Sequence, residues 1–477
     1  MRVTKSLRGA RVTAGTALAL CLAWCCTSCS DASSQPSAPG LVSTPCPAPR
    51  TAGPGKALAD RSAVRTAGSG THRVVSATPA RPLWARTLPG GASAEAVSQD
   101  GTRLFVLGAV KTHFETVAFN AATGARVWAK AYPASTFSAP VAIAVSPDGT
   151  RVYVTGNTRT TGPGATVAYD ARTGQQLWAS RYNPTAAYGA YVTALAVSPD
   201  GTTVYVTGDR RVSSRQAYAV VIAYAAATGR QLWLRYYKSA GATSVAVSPD
   251  GKTVYVTGAA SPWSALTLAY QATGILKWAA RYKNPSGHAA GSQIVAGPGG
   301  NAVYVVGAAQ NTAGHWDIAT FAYRAITGRC LWLARHYARG GGSERIAATP
   351  DGRTVIVIGA RNGDRTGGYA IAAYNASTGA TRWTRQAPAA AYGSEVPDGL
   401  VIDPHGKSVF VASTPVGGGY DTAAWSVARG TMLWTGSHTA ARAWGPAAIA
   451  LTGDGARLFE AGSAGLNGGM IIVAYRT

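Results

Sequence analysis

The stretch Thr166–Trp178, TVAYDARTGQQLW, decides the fold, because relatives of it recur along the chain. It reads as a β-strand, a tight turn at Thr173-Gly174 and a second strand carrying Trp178. A Trp four residues after a Gly appears at Trp128, Trp178, Trp233, Trp278, Trp332, Trp383 and Trp434, following Gly124, Gly174, Gly229, Gly274, Gly328, Gly379 and Gly430. One fixed offset held through seven copies marks a structural repeat. An eighth Trp, Trp84 in RPLW, has no such turn before it.

A second motif alternates with the first. SPDG stands at 146–149, 198–201 and 248–251, SQDG at 98–101 and TPDG at 349–352, with looser copies GPGG at 297–300, DPHG at 403–406 and TGDG at 452–455. Pro presets φ at the first central position and Gly accepts positive φ, so each copy predicts a hairpin turn. The flanking segments, such as YVTALAV and VYVTG, carry the β-branched and aromatic residues that favour strands.

The unit is therefore strand, SPDG turn, strand VYVTG, variable loop, strand VAY, TG turn, strand LW. Four antiparallel strands repeating about every 50 residues predict an all-β, eight-bladed β-propeller over residues 81–477. The final unit supplies AAIALT, RLFEAG and MIIVAY and then ends, so the strand around Trp84 is expected to complete the last blade and close the ring. Closure removes two sheet edges that would otherwise be open to pairing with other chains. A seven-bladed ring, with the GPGG unit as an insertion, is the alternative.

Upstream, residues 1–29 join a basic start (Arg2, Lys5, Arg8, Arg11) to an apolar run too short to span a bilayer, the pattern of an export signal. The cluster Cys25, Cys26, Cys29 that follows is similar to a bacterial lipoprotein signal. It implies cleavage before Cys29 and lipidation there, with simple secretion as the alternative. Residues 30–80, rich in Ser, Pro, Ala and Gly, predict a disordered tether. Only Cys46, in that tether, and Cys330, in GRCLW on a predicted strand, remain. The expectation is no disulfide framework, with Cys330 a small buried apolar residue.

The motif AYDARTGQQLW, with AFNAATGARVW and AYAAATGRQLW beside it, resembles the repeats of the quinoprotein dehydrogenase-like (PQQ-like) propellers. The resemblance covers about residues 81–477. It implies that Trp84, Trp128, Trp178, Trp233, Trp278, Trp332, Trp383 and Trp434 dock between neighbouring blades as structural residues. Enzymes, sensors and assembly scaffolds share such repeats, so function must be sought in the parts that differ between copies.

The chain carries 44 Lys and Arg against 20 Asp and Glu, a formal net charge of +24. Much of this belongs to the repeat: Arg86, Lys130, Arg181, Arg235, Arg281, Arg335 and Arg385 follow their Trp by two or three residues, where they are expected to face solvent. No basic stripe with interleaved aromatics points to nucleic acid. An unknown protein or an anionic envelope polymer is the partner such a surface predicts, for a chain expected to be a monomer.

Variable loops on one face should carry any function. Acids that the repeat does not require are Glu95, Glu115, Glu344, Glu395 and Asp421, and Glu344-Arg345 forms a candidate charged pair at the channel mouth. These six residues are the candidate ligand-binding set. His113, His288, His315 and Asp317 lack metal-ligand spacing, and no metal or catalytic residue is predicted. The expected function is a noncatalytic binding or scaffold module, exported and lipid-anchored at the cell envelope, with no cofactor. The alternative that the resemblance implies is a quinone-dependent (PQQ with Ca²⁺) sugar or alcohol dehydrogenase. That reading would bring a vicinal disulfide and a carboxylate-bound Ca²⁺, and this sequence shows no adjacent cysteines within the repeats.

Overall fold

The computed structural model describes residues 41–42, 46, 78–79 and 81–477, apart from 135–138, 159–163, 185–188, 214–215, 338–343, 361–367, 388–395, 415–418, 439–447 and 464–468. Its strands form eight sheets, each one blade of four antiparallel strands, and two of the sheets carry a short fifth strand that runs parallel at the rim. Blade 1 holds Gly91–Val97, Arg103–Val110, His113–Asn120 and Arg126–Pro133, from the innermost strand outward. Blades 2 to 7 repeat this order and end on the outer strands Gln176–Tyr182, Gln231–Lys238, Leu276–Tyr282, Cys330–Tyr337, Thr381–Gln386 and Met432–His438.

Blade 8 is built from both ends of the propeller. Ala448–Leu451, Arg457–Ser463 and Gly469–Arg476 supply three strands, and Pro82–Pro89 pairs antiparallel with Gly469–Arg476 to supply the fourth. Trp84 lies opposite Ala474, as Trp178 lies opposite Ala168 in blade 2. The missing turn before Trp84 thus marks the closing strand, and the ring has eight blades.

The two turn motifs act as their residue types dictate. In SPDG the Gly149 amide bonds the Ser146 carbonyl at 2.8 Å and the Asp148 carboxylate takes the Thr150 amide at 3.0 Å. A hydrogen bond from the Ser146 hydroxyl, then one from the Thr150 amide, holds the Asp148 carboxyl below the usual carboxylate range.

Each repeat Trp lies between two blades. Trp128 packs on Phe105 of its own blade and Tyr169 of the next, and Trp178 packs on Tyr153 and Tyr224 in the same way. The indole N–H of Trp128 donates to the Ala171 carbonyl of blade 2 at 3.0 Å, and that of Trp178 to Ala226 of blade 3 at 2.9 Å. Burying a large ring while satisfying its one donor makes Trp the residue for this wedge. The core is accordingly divided into clusters that each join facing blades.

One expectation is extended and one is corrected. The basic residues two positions after the Trp are exposed, as expected, and three of them also bond the backbone of the next blade: Arg86 Nε donates to the Gly124 carbonyl at 2.8 Å, Arg235 Nε to Gly274 at 2.8 Å and Arg385 Nη2 to Arg429 at 3.0 Å. They tie the outer strands of blades 8, 3 and 6 to the TG turn of the next blade. Those three positions after the Trp turn elsewhere: Arg181 bonds the Tyr132 hydroxyl, and Arg335 pairs with Asp317 at 3.2 Å.

The correction concerns cysteine. Cys46 and Cys330 form a disulfide across a sequence separation of 284 residues. Leu41–Val42 runs parallel to the outer strand of blade 4 at Ala279–Ala280, which delivers Cys46 to the outer strand of blade 5. Thr78–Pro79 lies parallel to Trp434–Thr435 on the rim of blade 7, just before the closing strand. The described parts of residues 30–80 are thus joined to the rim. The rest of the expected tether, and the signal segment with Cys29, lie outside the described residues.

Candidate functional site

The inner strands of the blades line the central channel, and those of blades 1, 2, 3, 4, 5 and 7 carry a bulge at one position. The residue at the bulge reaches sideways to the neighbouring blade. Thr193 Oγ1 donates to the Ala242 carbonyl at 2.8 Å and Thr243 Oγ1 to Gly291 at 2.9 Å. Ser292, the equivalent residue of blade 5, donates to Glu344 Oε2 at 2.7 Å.

Glu344 therefore sits in this inner girdle and is only 1 % exposed. Arg345 continues the chain: its Nε donates to the Asp398 carbonyl of blade 7 at 3.0 Å and its Nη1 to the Glu344 carbonyl at 3.1 Å. The two residues expected to form a pair at the channel mouth instead link blades 5, 6 and 7 around the inner rim. Glu115 lies on the third strand of blade 1 opposite Gly108 and Ala131, half-buried, and makes no hydrogen bond or ion pair among the described residues. Glu395 lies outside the described residues.

Glu95 and Asp421 belong to a different group. In every blade, one inner-strand residue lies opposite one residue of the VYVTG-type strand. The pairs are Ile143 with Val154, Leu195 with Val206, Val245 with Val256, Ile294 with Val305, Ile346 with Val357 and Leu400 with Val411. In blade 1 the pair is Glu95 with Val106, and in blade 8 it is Ile449 with Glu460. Aliphatic residues fill this layer everywhere else, so Glu95 and Glu460 are the two acids within it.

Both carboxyls are cut off from water. Glu460 is 0 % exposed; its Oε2 accepts from the Thr422 hydroxyl of blade 7, and its Oε1 has no partner. Glu95 is half-buried as a residue, but both its carboxylate oxygens are covered and close no hydrogen bond, although the Ala450 amide of blade 8 lies nearby. Burial, moderated by the Thr422 bond and reinforced by Asp421 and Asp398, pushes Glu460 up to about 8. Burial, then the charge of Glu460, pushes Glu95 well above the carboxylate range. Asp421 is raised by burial, against a hydrogen bond from Ser437.

Asp421, Glu460 and Glu95 thus gather around blade 8, whereas Glu115 and Glu344 do not join them. Glu460 escapes a search of loops because it lies within a strand. Aligning RLFEAG at 457–462 with RVYVTG at 151–156 reveals it, since Glu replaces Val.

Of the histidine and aspartate set, Asp317 is occupied by Arg335 and by Asn311 Nδ2 at 3.1 Å, and the His288 ring packs on Trp263 at 4.3 Å. Among the described residues, no three His, Cys, Asp or Glu side chains group as metal ligands. The features that the resemblance would bring for a quinone and Ca²⁺ do not fit: Cys330 is joined to Cys46 rather than to an adjacent cysteine, and the Glu95 and Glu460 oxygens are covered.

No curated protein matches the chain. Among solved structures it is similar to Kuenenia stuttgartiensis hydrazine synthase, at 16 % identity and a TM-score of 0.52, over 72 % of this chain and 97 % of that one. At that identity the likeness concerns the fold alone. A family model described as outer membrane protein assembly factor BamB matches residues 31–206, 163–332 and 317–475. These overlapping matches run through the whole propeller, and the chain belongs to this family of PQQ-like repeat propellers.

Proposed function

We propose that the protein is an exported propeller, lipid-anchored through Cys29, that acts as a noncatalytic binding or scaffold module at the cell envelope. The family is named for an assembly factor, and a scaffolding role agrees with that name. The observation that carries the reading is on the rim. The residue preceding the repeat Trp is an exposed aliphatic on five successive blades, 7, 8, 1, 2 and 3: Leu433, Leu83, Val127, Leu177 and Leu232, each between 41 % and 45 % exposed. An apolar arc on a surface otherwise rich in Arg is the composition of a protein-binding surface. Of the acids that break the repeat, Glu95 and Glu460 have their carboxyl oxygens covered between blades, away from any substrate in the channel.

The test places a photo-crosslinking residue at Leu177 or Leu232, and at Gly149 in an SPDG turn as control, in cells producing the full chain. Adducts that form at the rim positions and not at the control are expected; equal yields at all three overturn the reading. Incubation of the purified protein with pyrroloquinoline quinone and Ca²⁺ should give no dye reduction with sugars or alcohols, and turnover would establish the dehydrogenase instead. The mass of the mature N-terminus should show diacylglycerol on Cys29, and an unmodified terminus would refute the anchor.

A further inference from the structure

Blade 8 takes its four antiparallel strands from both ends of the propeller, and a buried carboxyl lies in each of the two seams that flank it. Glu460 is in the seam with blade 7, on the same face of its strand as Leu458, which packs with Phe410, Ala412 and Tyr420. Glu95 is in the seam with blade 1, where Ala92 and Val97 of the same strand pack against Phe459, Met470 and Ile472. Every other seam has Ile, Leu or Val at the position of Glu95, and Val at that of Glu460. An aliphatic layer broken twice, and both times beside the closing blade, is a departure from the local rule of the kind that accompanies function.

We propose that these two carboxyls form a proton-binding site that controls closure of the ring: as neutral acids they let blade 8 pack, and loss of their protons loosens it from blades 7 and 1.

The surroundings of the two groups leave a charge uncompensated. Facing Glu460 from blade 7 are Asp398, Asp421 and Tyr420, and from its own blade Tyr475; across the sheet lies Glu95. All of these are acids or phenols. The cation near this group, Arg345, bonds the main-chain carbonyl of Asp398. The hydroxyls of Tyr420 and Tyr475 have no partner, and neither has Glu460 Oε1 nor either oxygen of Glu95. A buried carboxylate with one hydroxyl donor and no counter-ion is strongly unfavourable, whereas the neutral acid needs only a modest set of hydrogen bonds.

The direction of the effect follows from linkage. A carboxyl whose folded-state pKa is raised binds its proton more tightly in the folded chain. Its contribution to stability is complete below its ordinary value near 4.5 and is lost as pH rises through the folded value, which for Glu460 is about 8. Closure should therefore weaken progressively from about pH 4.5 up to about pH 8, with the last step of the loss above neutrality.

The experiment is hydrogen exchange of the full chain, read by mass spectrometry and normalised to peptides from blades 2 to 4 in the same sample. Between about pH 7 and about pH 9, exchange of peptides spanning 82–89 and 469–476 should rise at least about tenfold relative to those internal references. Glu460→Val, which restores the residue of seven other blades, should abolish most of this rise, and Glu95→Gln should reduce it. Uniform exchange across all blades at the higher pH would overturn the proposal, as would a rise in Glu460→Val equal to that of the parent. If Ca²⁺ in place of EDTA restores protection at the higher pH, and does so only with both glutamates present, the seams bind a metal ion and the proposal fails.

Discussion

Gly174 of blade 2 lies directly beneath the indole of Trp128 in blade 1: a Cβ on this glycine would stand 2.7 Å from the ring. Its φ is +71°, in the left-handed region that side chains disfavour. The Gly and the Trp four residues later in one repeat therefore serve two different interfaces, since each turn glycine receives the Trp of the preceding blade. Gly149 separates the two constraints, for it also has φ +71° but a Cβ placed there would meet nothing within 4 Å. Gly149→Ala should cost only the backbone strain, about 1 kcal/mol. Gly174→Ala should cost that and the displacement of a packed ring, about 2–4 kcal/mol. Urea midpoints of the two variants check the difference, and equal losses would show that the Trp does not constrain the turn.

Trp434 offers an internal control for the indole hydrogen bond. Seven repeat Trp residues donate to a carbonyl of the next blade, at distances from 2.7 to 3.2 Å. Trp434 faces blade 8, whose two outer strands come from opposite ends of the propeller and have no TG turn between them. It packs on Phe410 and Tyr475 and donates no hydrogen bond among the described residues. Trp178→Phe removes the indole bond and leaves the Ala226 carbonyl only the Tyr153 hydroxyl at 3.3 Å, whereas Trp434→Phe removes no hydrogen bond among the described residues. The first should cost about 1 kcal/mol more than the second. Thermal melts of the two variants decide it, and equal shifts would mean that the rings act through packing alone.

The contrast between these two Trp residues shows which properties are legible in the sequence. Gly174 and Trp178 announce turn and strand because their constraints are local and repeat at a fixed offset. Trp84 without its turn reveals closure by the same count of strands and turns. The partner of Arg86 is not legible, because it depends on how one blade abuts the next. Cys46 is harder still: it lies in a stretch without strand periodicity, and its meeting with Cys330 depends on where Leu41–Val42 pairs on the rim. Glu460 occupies the opposite case. Its position is visible once RLFEAG is aligned with VYVTG, yet its meaning needs the seam, because the same residue on a solvent face would be ordinary.

The disulfide shortens any tether to the propeller. Cys29 stands seventeen positions before Cys46, so a lipid on Cys29 would hold blade 5 much closer to the membrane than a free segment reaching to residue 80 would. Cys46→Ser and Cys330→Ser should each release the N-terminal segment and cost about 2–4 kcal/mol, the range for cross-links that close long loops. Non-reducing peptide mapping should recover residues 46 and 330 in one fragment. Trypsin should then cut between Arg50 and Arg73 at similar rates in parent and variant, but only in the parent should the fragment upstream remain attached. Two free thiols in protein purified without reductant would refute the clasp.

Asp209 gives the clearest titration inside the fold. It lies near the end of the strand Thr203–Arg211 of blade 3, and its Oδ1 accepts the Ala242 amide of blade 4 at 2.8 Å. Asn157, the equivalent residue of blade 2, accepts the Val192 amide at 2.8 Å and also donates to the Val192 carbonyl at 3.1 Å. The neighbouring repeat thus shows that an amide fits this site and bonds in both directions. Burial pushes Asp209 up to about 6 from an ordinary 3.8, against the bond from Ala242 and the charge of Arg211. Because the folded chain holds this proton more tightly, its contribution to stability is complete below about pH 4 and is lost as pH rises through about 6. Asp209→Asn removes the titration while keeping the accepted bond. The variant should match the parent near pH 4 and exceed it near neutrality by up to about 3 kcal/mol, the linkage value of a shift of this size. Denaturant midpoints of the two proteins across that range measure the divergence, and curves that stay parallel would place the Asp209 carboxylate in an environment that tolerates its charge.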